Sequence, residues 1–206
     1  MNRVPILLLL LFVSACNAPE QPADARTELL DVANTASTVT PVQLAVMQAI
    51  ADIDAMRSNL AGGISEMEEV EQETFAQVCK PVGMRLKQTA QENGWVMRQL
   101  AVKYRNPAHA PDPQAAGLFA RFESESSLDS LWLRSEHAGV PGLRYLRRIT
   151  VEPACLACHG AKDARPDFIK EKYPEDRAFG FEAGDLRGMY SVFIPDTFSS
   201  ADSVAN

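Results

Sequence analysis

Apolar residues recur with a helical period in the first part of the chain's main body. From Pro41 to Met56 they return every three or four positions, and two glycines follow at Gly62 and Gly63. A spacing near 3.6 residues is typical of an amphipathic helix, and glycine favours the end of one. The pattern therefore predicts a helix that begins at Pro41 and ends near Gly62.

A second helical pattern begins at Ser65, with acidic residues in its first turns, where the helix dipole favours negative charge. Farther along, Cys79 shares one face with the apolar positions Phe75, Val78, Val82 and Leu86. This spacing predicts that Cys79 faces inward with the apolar stripe. Pro81 predicts a kink or a new start within this helix, because proline removes one backbone hydrogen bond.

Alternation of apolar and polar residues replaces the helical period after Gly94. It predicts a half-buried strand over residues 99–104, a second strand over 145–151 after Pro-Gly, and a third over 189–194. A short helix that opens at Pro113 lies between the first two strands. Long helices followed by separated strands predict an α+β domain with an antiparallel sheet.

The first fifteen residues have the pattern of a secretory signal peptide. One basic residue precedes an apolar stretch of about ten residues, too short to span a bilayer, and the small residues Ser14 and Ala15 lead to Cys16. This exit resembles the bacterial lipobox, which implies diacylation of Cys16 and a tether over residues 16–40. The product would be an exported, membrane-anchored lipoprotein facing the periplasm, and the resemblance of Asn17 after the cysteine to lipoprotein sorting signals favours the outer membrane. Simple secretion, with Cys16 just upstream of the cleavage point, is the alternative.

Composition narrows the class of protein further. The 206 residues are 46% hydrophobic and 23% charged, values that are typical of a globular protein and exclude a disordered one. The net charge of −7 provides no basic surface for nucleic acid. We therefore expect one domain over residues 41–198, followed by a polar tail over residues 199–206 that frays.

Cys155, Cys158 and His159 form the pattern Cys-x-x-Cys-His, which is typical of c-type haem attachment. Positions i, i+3 and i+4 lie on one helical face, so both thiols can meet one haem edge while the histidine ligates iron. A thioredoxin-type pair would need a βαβ context, and a Cys155–Cys158 disulfide would close a very short loop. A zinc site could use the same three residues with Cys79. In a chain with an export signal, the pattern favours one covalently bound haem c.

Several further motifs accompany this pattern. They are Cys-Leu-Ala-Cys-His-Gly over 155–160, Tyr-Pro-Glu-Asp over 173–176, Gly-Phe-Glu-Ala-Gly-Asp-Leu-Arg-Gly over 180–188, Ser-Val over 191–192, and Lys-Tyr-Arg-Asn-Pro over 103–107 with Pro-Asp at 111–112. Over roughly residues 45–195 the chain resembles a family of single-haem, PAS-like haem domains, catalogued as a domain of unknown function. Its members occur as free cytochromes and as extracytoplasmic input domains of signalling proteins. The chain departs from the family at His109, where Asn is expected, and at Phe181, where Tyr is usual.

The resemblance implies a PAS-like fold and a second axial ligand from the upstream cysteine, Cys79. The alternative for Cys79 is a small buried apolar residue. Met84 and Met189 are other possible ligands, whereas His137 is expected at the surface and His109 is a weak candidate.

Two arginines near the motifs, Arg105 and Arg187, are candidates for pairing with the haem propionates, or else ordinary surface residues.

These features favour a lipid-anchored electron carrier over an enzyme. The sequence shows no Ser/His/Asp set, P-loop or dinucleotide fingerprint. A haem-based redox or gas sensor that acts through a signalling partner is the alternative, and a peroxidase-like enzyme would need an open distal site. The acidic composition favours a basic redox partner.

Overall fold

The computed structural model describes residues 39–66 and 70–196. The predictions for the signal peptide 1–15, for Cys16, for nearly all of the tether 16–40 and for the tail 199–206 concern residues outside that part of the chain. No helix within the described residues is long and apolar enough to cross a membrane.

Helix α1, Pro41–Gly62, has the bounds that its pattern predicts. Thr40 closes a capping box with Gln43: its hydroxyl accepts the Gln43 backbone N–H at 3.3 Å, and its own backbone N–H donates to Gln43 Oε1 at 2.9 Å. Pro41 stands at the first helical position, where its missing N–H leaves no bond unmade. A short 3-10 turn, Gly63–Glu66, follows.

Helix α2, Gln72–Asn93, begins later than Ser65, where the sequence places its start. The capping residue is Glu71, whose backbone N–H donates to Thr74 Oγ1 at 3.3 Å. Pro81 lies inside the helix and does not end it, because buried side chains on both sides of it, Val78 and Val82 among them, hold this stretch against the core.

Four antiparallel strands form one sheet in the order β1-β4-β3-β2. The strands are β1 Val96–Leu100, β2 Ser130–His137, β3 Val140–Thr150 and β4 Leu186–Pro195. Along the chain, helix α3, Pro113–Ser124, comes between β1 and β2. Two short helices, α4 Leu156–His159 and α5 Asp167–Lys172, come between β3 and β4. The predicted α+β, PAS-like fold with an antiparallel sheet is confirmed.

The prediction for the first strand is wrong in position. Strand β1 ends at Leu100, and residues 101–104 leave the sheet. The Ala101 backbone N–H donates to the His109 carbonyl at 2.9 Å instead of to a strand, and Val102 is about half exposed, at 49%. The apparent alternation over 99–104 therefore joins the end of a strand to a turn.

The sequence pattern does not indicate strand β2, and β3 begins earlier than its pattern indicates, so that it includes Pro141 and Gly142. A two-residue turn joins them, and both of its residues, Ala138 and Gly139, have positive φ, 51° and 79°. Such a turn fits the twist of a hairpin, but alanine is an unusual residue there, so the sequence carries a weak signal for it.

The sheet is covered on both faces. Helices α1 and α2 pack one face, with Ile50, Ile53 and Leu86 against Tyr190 and Val192. Helix α3 packs the other face, where the buried residues are Leu100, Ala115, Phe119, Phe122, Leu133, Leu146 and Met189. Central strand β4 is therefore buried on both faces from Gly188 to Ile194. The candidate site residue Arg187 lies in β4 just before this buried stretch.

Candidate functional site

The Cys-x-x-Cys-His segment is a compact helical turn beside the sheet. A 3-10 turn, Pro153–Cys155, leads into helix α4. The turn ends at Gly160, whose N–H donates to the Leu156 carbonyl at 2.8 Å. A side chain at this position would put its Cβ 2.7 Å from that carbonyl oxygen, so the close approach needs glycine. The local geometry thus gives Cys155, Cys158 and His159 the helical placement that their spacing predicts.

The His159 ring is held in one tautomer. Its Nδ1 lies 2.7 Å from the Ala178 carbonyl oxygen, and since a carbonyl can only accept, Nδ1 carries the proton. The lone pair of Nε2 is then free for a metal, an arrangement typical of ligating histidines. Burial lowers the pKa of His159 well below its usual value, and the charges of Arg187 and Arg105 lower it further. The ring is therefore neutral, as ligation requires.

Residues 178–181 support His159 from one side. The Phe181 backbone N–H donates to the His159 carbonyl at 3.1 Å, and Gly180 donates to the Gly160 carbonyl at 2.6 Å. The Phe181 ring meets the imidazole edge-on, with centroids 6.2 Å apart, and Lys103 Nζ lies 4.1 Å over the same ring. Phe181, one of the two departures from the resembled family, thus packs directly against the candidate ligand.

Arg105 is buried and bound to the motif itself. Its Nη2 donates to the Cys158 carbonyl at 2.8 Å. The same nitrogen lies 3.4 Å from His159 Nδ1, which is not a hydrogen bond when both nitrogens carry protons. Its Nε is 3.4 Å from Asp176 Oδ2 and makes no hydrogen bond.

The carboxylate of Asp176 pairs with more than one cation. Its side chain is only 1% exposed, and its Oδ2 accepts from Arg165 Nη1 at 2.6 Å, so two guanidinium groups share this single carboxylate. Its other oxygen accepts the Ala178 backbone N–H at 2.9 Å, and Ala178 is the residue whose carbonyl orients His159. Asp176 has no role among the predictions from sequence, although it lies in the Tyr-Pro-Glu-Asp motif. Nothing in the sequence indicates that the Ala178 carbonyl orients His159.

Arg187 adds a third cation. Its Nη1 donates to the Lys103 carbonyl at 3.0 Å, and within the described residues it forms no ion pair. Burial, together with the neighbouring Arg105, lowers its pKa to about 10. Three arginines thus face one buried carboxylate, an excess of positive charge that suits a group bearing two carboxylates, such as haem with its two propionates.

The prediction that Cys79 faces inward with the apolar stripe is wrong. Val78 and Val82 are buried, whereas Cys79 is exposed, because the buried stripe of α2 is narrower than the sequence suggests. The thiol nevertheless belongs to the neighbourhood of the motif. Desolvation by the surrounding protein and the nearby Cys158, opposed by Arg105, together raise the pKa of this thiol to about 11.

The structure does not single out any of the other candidates for the second axial ligand. Met84 is exposed at 61%, and Met189 is fully buried in the core. His137 is exposed, as predicted, with its ring 5.6 Å from that of Phe193. His109 lies in the 3-10 turn Pro107–His109, and burial and the charge of Arg187 lower its pKa.

The four residues considered for zinc do not form a metal-binding group. Over residues 39–66 and 70–196, no three His, Cys, Asp or Glu side chains come together in an arrangement that could hold a metal ion. Cys79, Cys155 and Cys158 are all free thiols. The site therefore offers one oriented imidazole and separate thiols.

Comparison with known proteins agrees with the resemblance drawn from the motifs. A family model named Tll0287-like matches residues 20–195. A similar solved structure is the crystal structure of the cyanobacterial heme-protein Tll0287, with 46% sequence identity and a TM-score of 0.67, covering 76% of this chain and 96% of that one. No curated protein matches the chain. The family match over most of the length shows that this chain belongs to the Tll0287-like family.

Proposed function

We propose that this chain is a c-type haem protein that carries one haem, joined through thioethers to Cys155 and Cys158 and ligated by His159. The observation that carries the proposal is the bond from His159 Nδ1 to the Ala178 carbonyl, which frees Nε2 for iron. The solved relative at 46% identity is a heme-protein, which supports the same reading. Haem would supply a one-electron redox couple at this site.

The remaining site residues have distinct proposed roles. Cys79 is the proposed second axial ligand, because its thiol shares an electrostatic neighbourhood with Cys158 and Cys155. Arg187, half-buried and without an ion pair among the described residues, is the proposed partner of the propionates. Arg105 adds its charge to that interaction and holds the motif through the Cys158 carbonyl.

We propose electron transfer rather than enzymatic catalysis as the role of this site. A neutral His159 held on a packed turn keeps its orientation when an electron arrives or leaves. With Cys16 acylated, the domain would face the periplasm from a membrane and exchange electrons with an exported redox partner. Mass spectrometry of the mature N-terminus tests the anchor, and a mature chain without acyl groups on Cys16 would disprove it.

Covalent attachment is tested by acid–acetone extraction of the purified protein. Haem should stay with the wild-type chain, and Cys155→Ala with Cys158→Ala together should abolish attachment. Cys79→Ala is the control, since it removes a thiol outside the Cys-x-x-Cys-His pattern and should leave attachment intact. Complete extraction of haem from the wild-type chain would refute the proposal.

A second candidate role is a redox or gas sensor that acts through a partner protein, in which Cys79 would be released on reduction and the change passed to that partner. A redox titration with optical and EPR spectra, with and without CO, separates the two roles. Unchanged ligation in both oxidation states supports electron transfer, whereas ligand loss and CO binding on reduction support sensing.

A further inference from the structure

A network of ion pairs joins helix α1 to the residues just before the Cys-x-x-Cys-His segment. Arg57 Nη2 donates to Glu152 Oε1 at 2.8 Å, and Ser58 Oγ donates to Glu152 Oε2 at 2.9 Å. Arg57 Nη1 lies 4.0 Å from Cys155 Sγ. The first helix of the domain therefore contacts the attachment segment across a sequence separation of 98 residues.

Arg57 is held from its other side as well. Its Nε donates to Asp54 Oδ1 at 2.8 Å, and the same oxygen accepts the hydroxyl of Tyr190 at 3.2 Å. Tyr190 is fully buried in β4, so the network is anchored in the core of the sheet. Burial opposes the charge of Arg57, but Asp54 and Glu152 together raise its pKa above the usual value, and the guanidinium stays charged.

We propose that Arg57 is a positioning residue for Cys155. Its guanidinium fixes where the Cys155 sulfur stands during haem attachment and afterwards leaves a fixed positive charge beside the thioether. This inference rests on the proposed function, and it adds to it a residue of α1, outside every motif found in the sequence.

The chemistry of attachment shows why position matters. The thiol adds across a haem vinyl group: the sulfur bonds to one vinyl carbon, and the S–H hydrogen ends on the other. No group leaves and no oxidant is consumed, so the chain's contribution at this cysteine is to hold the sulfur in the right place. A planar guanidinium that binds Asp54 and Glu152 at once holds its geometry better than a lysine ammonium would.

The charges of Arg57 and Glu152 also predict the direction in which the midpoint potential should shift when each is removed. A positive charge near the iron favours the reduced state, and a negative charge favours the oxidised state. Removing the charge of Arg57 should therefore lower the midpoint potential, and removing that of Glu152 should raise it. A residue with a merely structural role would give no such pair of opposite shifts.

The experiment compares full-length wild type with Arg57→Gln, Arg57→Lys and Glu152→Gln. Arg85→Gln is the matched control, because Arg85 is an exposed arginine of α2. Each protein is produced with the haem-attachment machinery. The fraction of haem held by two thioethers is read from the α band in alkaline pyridine and from the mass of the haem peptide. Midpoint potentials are measured on the loaded proteins.

We expect a several-fold loss of doubly attached haem in Arg57→Gln and a smaller loss in Arg57→Lys, which keeps the charge. Arg85→Gln should match the wild type. If Arg57→Gln does not fold, Arg57→Lys and Glu152→Gln still test attachment, and Glu152→Gln still tests the sign of the potential shift, which should be upward.

Wild-type attachment and potential in all the Arg57 and Glu152 variants would overturn this inference alone. Potential shifts of the same sign in Arg57→Gln and Glu152→Gln would overturn its electrostatic part. A wild-type chain without thioether-bound haem would overturn the proposed function, and this inference with it.

Discussion

Replacing Asp176 with asparagine removes a negative charge from a nearly closed part of the site while keeping the size of the side chain. Asp176 neutralises Arg165 at 2.6 Å and Arg105 at 3.4 Å, and all three side chains are at most 9% exposed. The amide can still accept the Ala178 N–H, but it can no longer balance either guanidinium. The Asp176→Asn variant therefore leaves Arg165 and Arg105 buried without the protein carboxylate that balances them.

The size of the effect follows from burial. Removing one partner of a buried ion pair destabilises a protein by about 3 to 5 kcal/mol, because the other charge is left uncompensated. We take the lower end, about 3 kcal/mol, because the asparagine oxygen still accepts a hydrogen bond. For a domain of this size, 1 kcal/mol corresponds to roughly 3 °C in Tm, so the variant should melt about 9 °C below the wild type.

Thermal and urea unfolding followed by circular dichroism, at equal haem content, measure the change. Asp167→Asn is the matched control, since Asp167 pairs with Lys170 at 2.9 Å but is 88% exposed; it should change Tm little. Because Asp176 also positions Ala178, the EPR spectrum of the loaded variant should shift as well. An Asp176→Asn protein as stable as the Asp167→Asn protein would refute the reasoning about burial.

Three further predictions concern other parts of the molecule. The bond to Arg144 lowers the pKa of Asp112 to about 2. The ionised Asp112 side chain, 35% exposed, therefore contributes about 1 kcal/mol to the free energy of unfolding after allowance for solvent screening, and this contribution is present above pH 4 and lost as pH falls towards 2. Urea unfolding across this pH range should show the loss in the wild type and not in Asp112→Asn. Gly142→Ala would press a Cβ against the Ile194 backbone carbonyl of β4 and should lower Tm, whereas Gly117→Ala in helix α3 meets nothing within 4 Å and should raise Tm slightly. Cys79→Ala should keep covalent haem but change the ferric optical spectrum, and an unchanged spectrum would remove Cys79 as a ligand.

The parts of this protein that sequence predicts well are those fixed by neighbouring residues. Helix α1 has the predicted bounds because its capping residues and its terminal glycines act locally. The helical turn of Cys155–His159 follows from spacing alone. In each case the determining contacts lie within a few positions along the chain.

The parts that sequence does not predict depend on distant contacts. Strand β1 ends at Leu100 because the next residue turns to bond His109, and no local alternation signals that change. The exposure of Cys79 depends on which part of α2 the sheet covers. The bond from Arg57 to Glu152 spans 95 residues, so no periodicity could indicate it.

Strand β4 has a consequence for the order in which the protein folds. It is central in the sheet, yet it follows the strands on both sides of it in the chain. Its partners β1 and β3 cannot join until it has emerged, so the sheet closes late and through long-range pairing, which is slow. The Cys-x-x-Cys-His segment precedes β4, and its thiols are therefore present while the sheet is still open. The topology therefore leaves an interval in which both thiols of the segment stay accessible before the fold closes.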